Sequence, residues 1–341
     1  MKGIGLRRFA RNIRGRLAPG GLILMYHRVI KAESDPWSIC VSPKHFAEQM
    51  FVLRSWGNVI PLKQFNQTVR QGKVPYGKVA ITFDDGYTDN LYNAKPILER
   101  YEISATMFLT SGYMEQKREL WWDELERLLL TPVSLPSILS LEIGGKVHHW
   151  ELGLAAHYSE EQRKQDCAWK ASVAEPPTKR HALLIELYQL LKQESREMRQ
   201  QVMDELLTWA DCVPQLSARH RLMNKEEVSI VAKSELIEIG AHSVSHPFLS
   251  FLPIDKQWQE IRDCKTPLEE IVAQPVESFA YPHGNYSNQT AALVQQAGFT
   301  SACTTEPRSV RKSNCFELPR IQVEDWDGEE FAKQLSKWKI S

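Results

Sequence analysis

The five residues at 79–83, apolar but for one threonine, run straight into Asp84-Asp85-Gly86. So short and apolar a run fits a strand buried on both faces of a parallel sheet. Similar runs alternate with helical patterns over much of the chain. Leu22 to Tyr26 is one such run; Ser42-Pro43 then reads as N-cap and first turn of a helix with Phe46, Met50 and Leu53 on one face, ending near Gly57. A brief strand at 59–60, a helix at 62–69, a helix at 87–100 and a strand at 103–109 follow. Farther on come a strand at 236–241, a helix at 255–272, a strand at 276–281, a helix at 288–297 closed by Gly298, and strands at 300–304 and 316–323. Repeated βα units predict an α/β fold, a parallel sheet or barrel with helices outside. Functional residues then collect at the C-terminal ends of strands.

Between the two stretches the pattern changes. Apolar segments at 139–143 and 146–152 flank Gly144-Gly145 and predict a hairpin. Residues 160–210 are helical and charged, with Leu183, Leu184, Leu187, Leu190 and Leu191 as the apolar stripe. The chain therefore reads as a basic N-terminal helix (1–20), a barrel from 21–114 and 228–341, and a mainly helical insertion with a small hairpin (115–227). With 341 residues, 43% of them hydrophobic, it can bury a large core. Its 42 basic and 42 acidic side chains speak against a dedicated nucleic-acid surface. The six cysteines form no CxxC pair, which suits reduced thiols. No stretch approaches the roughly 20 apolar residues of a membrane span, and the N-terminus lacks a secretory pattern, so a cytoplasmic location is expected. Residues 1–18 carry six basic side chains with Leu6, Phe9, Ile13 and Leu17 at near-helical spacing. They read either as a helix making peripheral contact with an anionic membrane face or as a solvated or packed helix.

Neighbouring carboxylates repel unless a cation or hydrogen bonds hold them ionised. A metal on one of Asp84 and Asp85 solves this and leaves the other free as a base; the alternative is an Asp pair capping the next helix. His242-Ser243-Val244-Ser245-His246-Pro247 follows the strand at 236–241. Two histidines four apart at a strand end, with one carboxylate, make a His₂Asp set that leaves coordination positions open. Found together in one α/β domain, the two signals favour a metal site.

Thr82-Phe83-Asp84-Asp85-Gly86 followed by His242 to Pro247 resembles the two leading motifs of the polysaccharide deacetylases, the NodB-homology or carbohydrate esterase family 4 enzymes. The resemblance runs over 25–331 outside the insertion. It implies a distorted (β/α)₇ TIM-like barrel, hydrolysis of N-acetyl groups from amino sugars, Asp84 as catalytic base, and a divalent metal on Asp85, His242 and His246. Zinc is the default metal, although such a set also suits iron, cobalt, nickel or manganese. The third family motif falls at 279–286, where Tyr281, Pro282 and His283 are assigned to substrate binding; Ala280 stands where many members have arginine, leaving open what orients Asp84. Glu324-Asp325-Trp326 echoes the fourth motif. No histidine follows His283, so the acid must come from elsewhere. Tyr26-His27 resembles the N-terminal Tyr-His pair of permuted members, among them the poly-N-acetylglucosamine deacetylases, and so implies His27 as the acid, with His283 as its competitor. Trp121 and Trp122 resemble an aromatic pair that lies near the groove in such members; they either stack on a sugar or anchor the insertion. The implied reaction has Asp84 activate water, the metal and the Tyr281 backbone N–H hold the oxyanion, and His27 protonate the amine. The expected partner is an N-acetylated glycan, a surface polysaccharide or its lipid-linked precursor. Two alternatives remain: hydrolysis of a formyl group or another amide on the same fold, and a non-catalytic glycan-binding barrel.

Overall fold

Three strands whose residues are buried throughout, β1 (Leu22–Tyr26), β4 (Val79–Phe83) and β5 (Ala105–Leu109), lie side by side at the centre of a parallel sheet. Between β1 and β4 the short strands β2 (Arg28–Val29) and β3 (Cys40–Val41) pair only with each other. The computed structural model describes residues 20–115, 118–131, 133–311 and 314–338; the basic segment 1–18 lies outside them. Beyond a hairpin of β6 (Ile138–Ile143) and β7 (Lys146–Glu151), the sheet continues with β8 (Ile237–Ala241), β9 (Ser278–Ala280), β10 (Ser301–Cys303) and β11 (Ile321–Gln322). Its order is β10-β9-β8-β5-β4-β1-β11, parallel throughout. Leu318, on the approach to β11, bridges back to Cys303 of β10, so the curled sheet nearly closes on itself. The expected seven-stranded α/β fold is borne out.

Side chains alternate between two apolar layers, as a curled sheet requires. Leu22, Leu24, Val79, Ile81, Phe83, Met107 and Leu109 join the large cluster under the helices. Ile23, Ala80, Phe108, Ala280, Cys303 and Leu318 form a smaller cluster inside the curl, completed by Phe65 of the helix Leu62–Arg70. The helix Pro43–Trp56 starts where Ser42 caps it, and Phe46, Met50 and Leu53 are its buried stripe. Phe46 meets Tyr26 and Phe83 edge-on at 5.3 and 5.8 Å, so truncating it to alanine costs about 3–5 kcal/mol. Among the described residues no helix is long and apolar enough to cross a membrane.

Three elements depart from expectation, each beside a proline. The helix expected at 255–272 is two, Ile254–Arg262 and Lys265–Val272, because the Pro267 ring excludes the carbonyl of residue 263. The helix expected at 87–100 begins with a π turn, Asn90–Ala94, before Lys95–Tyr101, where Pro96 removes a donor. The strand expected at 316–323 shrinks to Ile321–Gln322 because Pro319 cannot donate to a ladder.

The described residues divide into two units, one within 20–31, 39–115 and 222–338 and one within 32–38 and 118–221. Residues 222–227 group with the sheet, where Met223 N–H donates to the Gly86 carbonyl at 2.9 Å. Within the second unit are the helices Trp121–Leu130, Glu160–Asp166, Lys179–Leu191 and Arg196–Trp209 and the β6–β7 hairpin. The hairpin turns at Gly144 (φ +59°) and Gly145 (φ +74°), both in the region that two-residue turns of this hand demand. Leu183, Leu184, Leu187 and Leu191 are buried, while Leu190 is half-buried. Arg180, fully buried, donates to the carbonyls of Ala155, Leu129, Thr131, Val133 and Ala156 at 2.6–3.4 Å.

Candidate active site

Strand parity aims the first acidic residue. Ala80 faces the interior of the curl, Thr82 continues that face, and Asp84 is next in step. The β1–β4 register sets Tyr26 opposite Phe83, and Asp84 N–H extends the pairing to the Tyr26 carbonyl at 3.0 Å. His27 and Asp84 therefore leave adjacent strands at the same end. Two strands away His242 N–H extends the β5–β8 pairing to the Leu109 carbonyl at 2.9 Å, which brings the histidine motif to that end too. Asp85 (φ +72°), Ser243 (φ +62°), His246 (φ +54°) and His283 (φ +57°) all sit in the left-handed region that side chains disfavour. Such strain persists where surrounding contacts over-determine the chain, and it collects at functional sites.

Asp85, His242 and His246 are buried, and one ligand atom from each lies within 4.8 Å of the others. His246 Nε2 is 3.1 Å from Asp85 Oδ1 and 3.1 Å from His242 Nε2; His242 Nε2 is 3.5 Å from the same carboxylate oxygen. His242 Nδ1 lies 2.8 Å from the Ala280 carbonyl, so that nitrogen carries the proton and Nε2 presents a lone pair. Asp85 Oδ1 is buried with no hydrogen-bond donor upon it among the described residues. Lone pairs thus converge on one point, an arrangement that a cation relieves, and the donor set fits a divalent metal. Burial opposes the charge on Asp85, yet protons on His246, His242 and His27 would hold its carboxyl well below the usual range, the part a cation on the same atoms would play. Burial draws His246 down more than Asp85 raises it, which keeps the ring neutral and able to ligate.

Asp84 is clamped by a residue that motif reading missed. Arg320, 0% exposed, donates from both terminal nitrogens to the two oxygens of Asp84, at 2.6 and 2.7 Å. It also donates to the Thr304 carbonyl at 2.9 Å. Burial would raise the Asp84 pKa, but Arg320, then His242, outweigh it and hold the carboxyl below its ordinary value. The arginine absent at Ala280 is thus answered from the approach to β11. Its signal in the sequence was a lone arginine among Leu318, Ile321 and Val323, two steps from Leu318 on the interior face.

His27 is half-buried, and its charge would bear on both Asp84 and Asp85. Its Nδ1 is buried with no hydrogen-bond partner among the described residues, and its carbonyl accepts from Asn90 Nδ2 at 2.8 Å. Asp89 accepts from the Val29 N–H at 2.8 Å and Arg28 Nε at 3.1 Å, binding the segment after His27 to the segment after Asp85. Glu260 accepts from the Val244 and Ser245 N–H groups at 3.0 and 2.8 Å and so braces the histidine loop. His283 is close as well: its ring meets His246 edge-on at 4.4 Å and stacks on Phe248 at 3.9 Å.

Several expectations need correction. Tyr281 is fully buried, its hydroxyl donates to the Phe316 carbonyl at 2.9 Å and its ring stacks on Tyr286, so it offers no face to a substrate. Its N–H is spent on the Cys303 carbonyl at 3.1 Å and cannot hold an oxyanion. Pro282 is buried beside it. Trp121 and Trp122, 6% and 5% exposed, pack inside the second unit, where Trp121 stacks on Tyr188 at 5.1 Å; neither has an open face for a sugar. Asp325 accepts from Ser42 and faces His45 Nδ1 at 2.8 Å, tying the 324–326 segment to the start of the helix Pro43–Trp56.

Comparison with known proteins agrees with this geometry. The polysaccharide deacetylase family model matches residues 71–137 and 212–302, which include the Asp pair and the histidine loop. Bacillus subtilis YxkH, named for the same family, is 35% identical over 127 residues, covering 36% of this chain and 44% of the relative. A Staphylococcus aureus poly-β-1,6-N-acetyl-D-glucosamine N-deacetylase is 33% identical over 109 residues, 28% of this chain and 38% of the relative. The chain thus spans less than half the length of these curated relatives. Among solved structures, IcaB from Ammonifex degensii aligns over 96% of this chain and 99% of its own, with TM-score 0.54 and 16% identity. The Streptococcus pyogenes deacetylase PplD aligns over 92% and 97%, with TM-score 0.53 and 18% identity. At such identities the two structures speak to the fold.

Proposed function

We propose that this chain, which belongs to the polysaccharide deacetylase family, hydrolyses the acetamide of N-acetylated amino sugars, with Asp84 as base and His27 as acid. The observation that carries the reading is the buried Asp85 oxygen facing two imidazole nitrogens beside an arginine-clamped Asp84. Asp85, His242 and His246 are the residues that would hold a divalent cation such as zinc, whose chemistry there is to polarise the acyl carbonyl and acidify water. Arg320 keeps Asp84 ionised and fixed in direction, so that it can take a proton from the attacking water. His27 leaves the neighbouring strand at the same level and supplies a proton to the amine nitrogen as the carbon–nitrogen bond breaks. Water is consumed, and a carboxylate and a free amine leave. His283, stacked on Phe248, is placed to shape the rim beside His246.

The substrate in this reading is a polymer of N-acetylglucosamine, at the cell surface or as its lipid-linked precursor; the name of the Staphylococcus aureus relative, a poly-β-1,6-N-acetyl-D-glucosamine N-deacetylase, supports the choice of sugar. The test is acetate release from N-acetylglucosamine oligomers by the full chain with zinc added. Asp84→Asn is expected to abolish turnover while zinc content stays the same. Formate release from N-formyl sugars in place of acetate would move the assignment to a deformylase. Glycan binding without turnover under any divalent metal would make the chain a binding module.

A further inference from the structure

A second polar site lies at the other end of the barrel strands. Glu238 is the second residue of β8 and His242 follows its last, a separation of about 13 Å along the strand. There a cavity of about 370 Å³ opens among Lys63, Asn66, Glu238, Glu277, Ser278 and Thr300. That volume suits a monosaccharide-sized molecule.

The charges at its mouth nearly balance, three basic side chains against two acidic ones. Lys63 pairs with Glu277 at 2.7 Å, and Arg70, Lys233 and Glu235 are exposed rim residues. Deeper in, acceptors are in excess. Asn66, 4% exposed, donates through Nδ2 to Ser301, and its Oδ1 is buried with no hydrogen-bond partner among the described residues. Glu238, half-buried, accepts from the Thr106 hydroxyl at 3.0 Å and the Lys63 backbone N–H at 3.3 Å; its oxygens make no direct ion pair among the described residues. An amide oxygen and a carboxylate that both lack a full complement of donors call for a donor-rich cation.

We propose that this cavity binds a small hydroxylated primary amine, with its ammonium on Glu238 and a hydroxyl on Asn66 Oδ1. An amino sugar without its acetyl group has this chemistry. The inference rests on the deacetylase reading only for the source of such an amine, which would make the cavity a product-sensing site remote from the reaction.

The experiment uses glucosamine as probe and the full chain. Calorimetric titration should show a glucosamine site that N-acetylglucosamine and glucose do not fill. Glu238→Gln should weaken it about tenfold or more, the loss of one hydrogen bond to a charged group, with acetate release unchanged. In wild-type protein, glucosamine should protect amides at 63–70 and 233–239 from hydrogen exchange, a readout that needs no variant to fold. Protection confined to 242–247, or equal glucosamine affinity in Glu238→Gln, overturns the proposal. Glucosamine binding at 233–239 in a chain that releases no acetate would leave this site standing and remove the deacetylase reading.

Discussion

Replacing Arg320 by leucine should expose what holds Asp84 ionised. The wild-type clamp consists of two charge-assisted hydrogen bonds at 2.6 and 2.7 Å between fully buried partners. Breaking one side of a buried pair costs about 3–5 kcal/mol, because the remaining charge stays out of water. Asp84 has an escape: it can protonate. From its ordinary value of 3.8, protonation at pH 7 costs about 4 kcal/mol, at about 1.4 kcal/mol per pH unit, and this caps the penalty. At pH 5 the same escape costs under about 2 kcal/mol. The folded pKa of wild-type Asp84 is depressed, so its contribution to stability is complete above 3.8 and is lost only as pH falls below that. Between pH 7 and 5 the wild type therefore keeps its clamp while the variant sheds its penalty.

The assay is urea unfolding of chelator-treated wild type and Arg320→Leu at both pH values. The gap should be about 3–4 kcal/mol at pH 7 and about half of that or less at pH 5. Asp84→Asn should remove most of the difference between arginine and leucine, a coupling that a double-mutant cycle reads directly. With zinc added, Arg320→Leu should lose about 10²–10³ in kcat, within the range of a mispositioned general base, at the same zinc content as the wild type. A gap below about 1 kcal/mol at pH 7, or the same gap at both pH values, would falsify the assignment of Arg320 as the group that keeps Asp84 charged.

Three further outcomes follow from the second unit and its aromatic pair. Arg180→Met removes hydrogen bonds from a fully buried guanidinium to five carbonyls and should lower stability by about 3–5 kcal/mol, seen as limited proteolysis within 121–209 before the rest of the chain is cut. Burial pushes His181 down to about 4, and its ordinary value is 6.5, so the unfolded chain takes up its proton first. Stability from that residue is full above pH 6.5 and is lost as pH falls towards 4, by about 2 kcal/mol after allowance for solvent screening; a pH series of thermal melts should show the slope in wild type and lose it in His181→Gln. Trp121→Ala should lower the melting temperature through loss of a stacked, 6% exposed ring and leave KM for acetylated oligomers unchanged; a raised KM with an unaltered melt would return Trp121 to the substrate groove.

What could be read from the sequence was whatever lies in one strand and the turn after it. The run at 79–83, the Asp pair behind it and the His-x₃-His loop after β8 are contiguous, so periodicity and residue chemistry sufficed. Apolar periodicity runs on across Pro267 and Pro319 where the backbone cannot, so the helix at 255–272 and the strand at 316–323 are longer in the sequence pattern than in the fold. Tyr281 and the tryptophan pair were overread for another reason: an aromatic ring looks alike in sequence whether it packs or binds, and only burial separates the two. Arg320 lies 236 residues from Asp84, and no period links them. Even so, each posed a problem that pointed to the other. An arginine in step with Leu318 on an interior face must find an anion, because a bare buried guanidinium is too costly. An Asp pair at the end of a buried strand must find two cations or lose a charge. A metal on Asp85 would answer one of the pair; a strand-borne guanidinium is the remaining answer for Asp84, and in a nearly closed sheet β11 lies beside β1, one strand from Asp84. Matching buried charges of opposite sign across predicted strands, before any contact is known, is the step by which such a residue becomes legible.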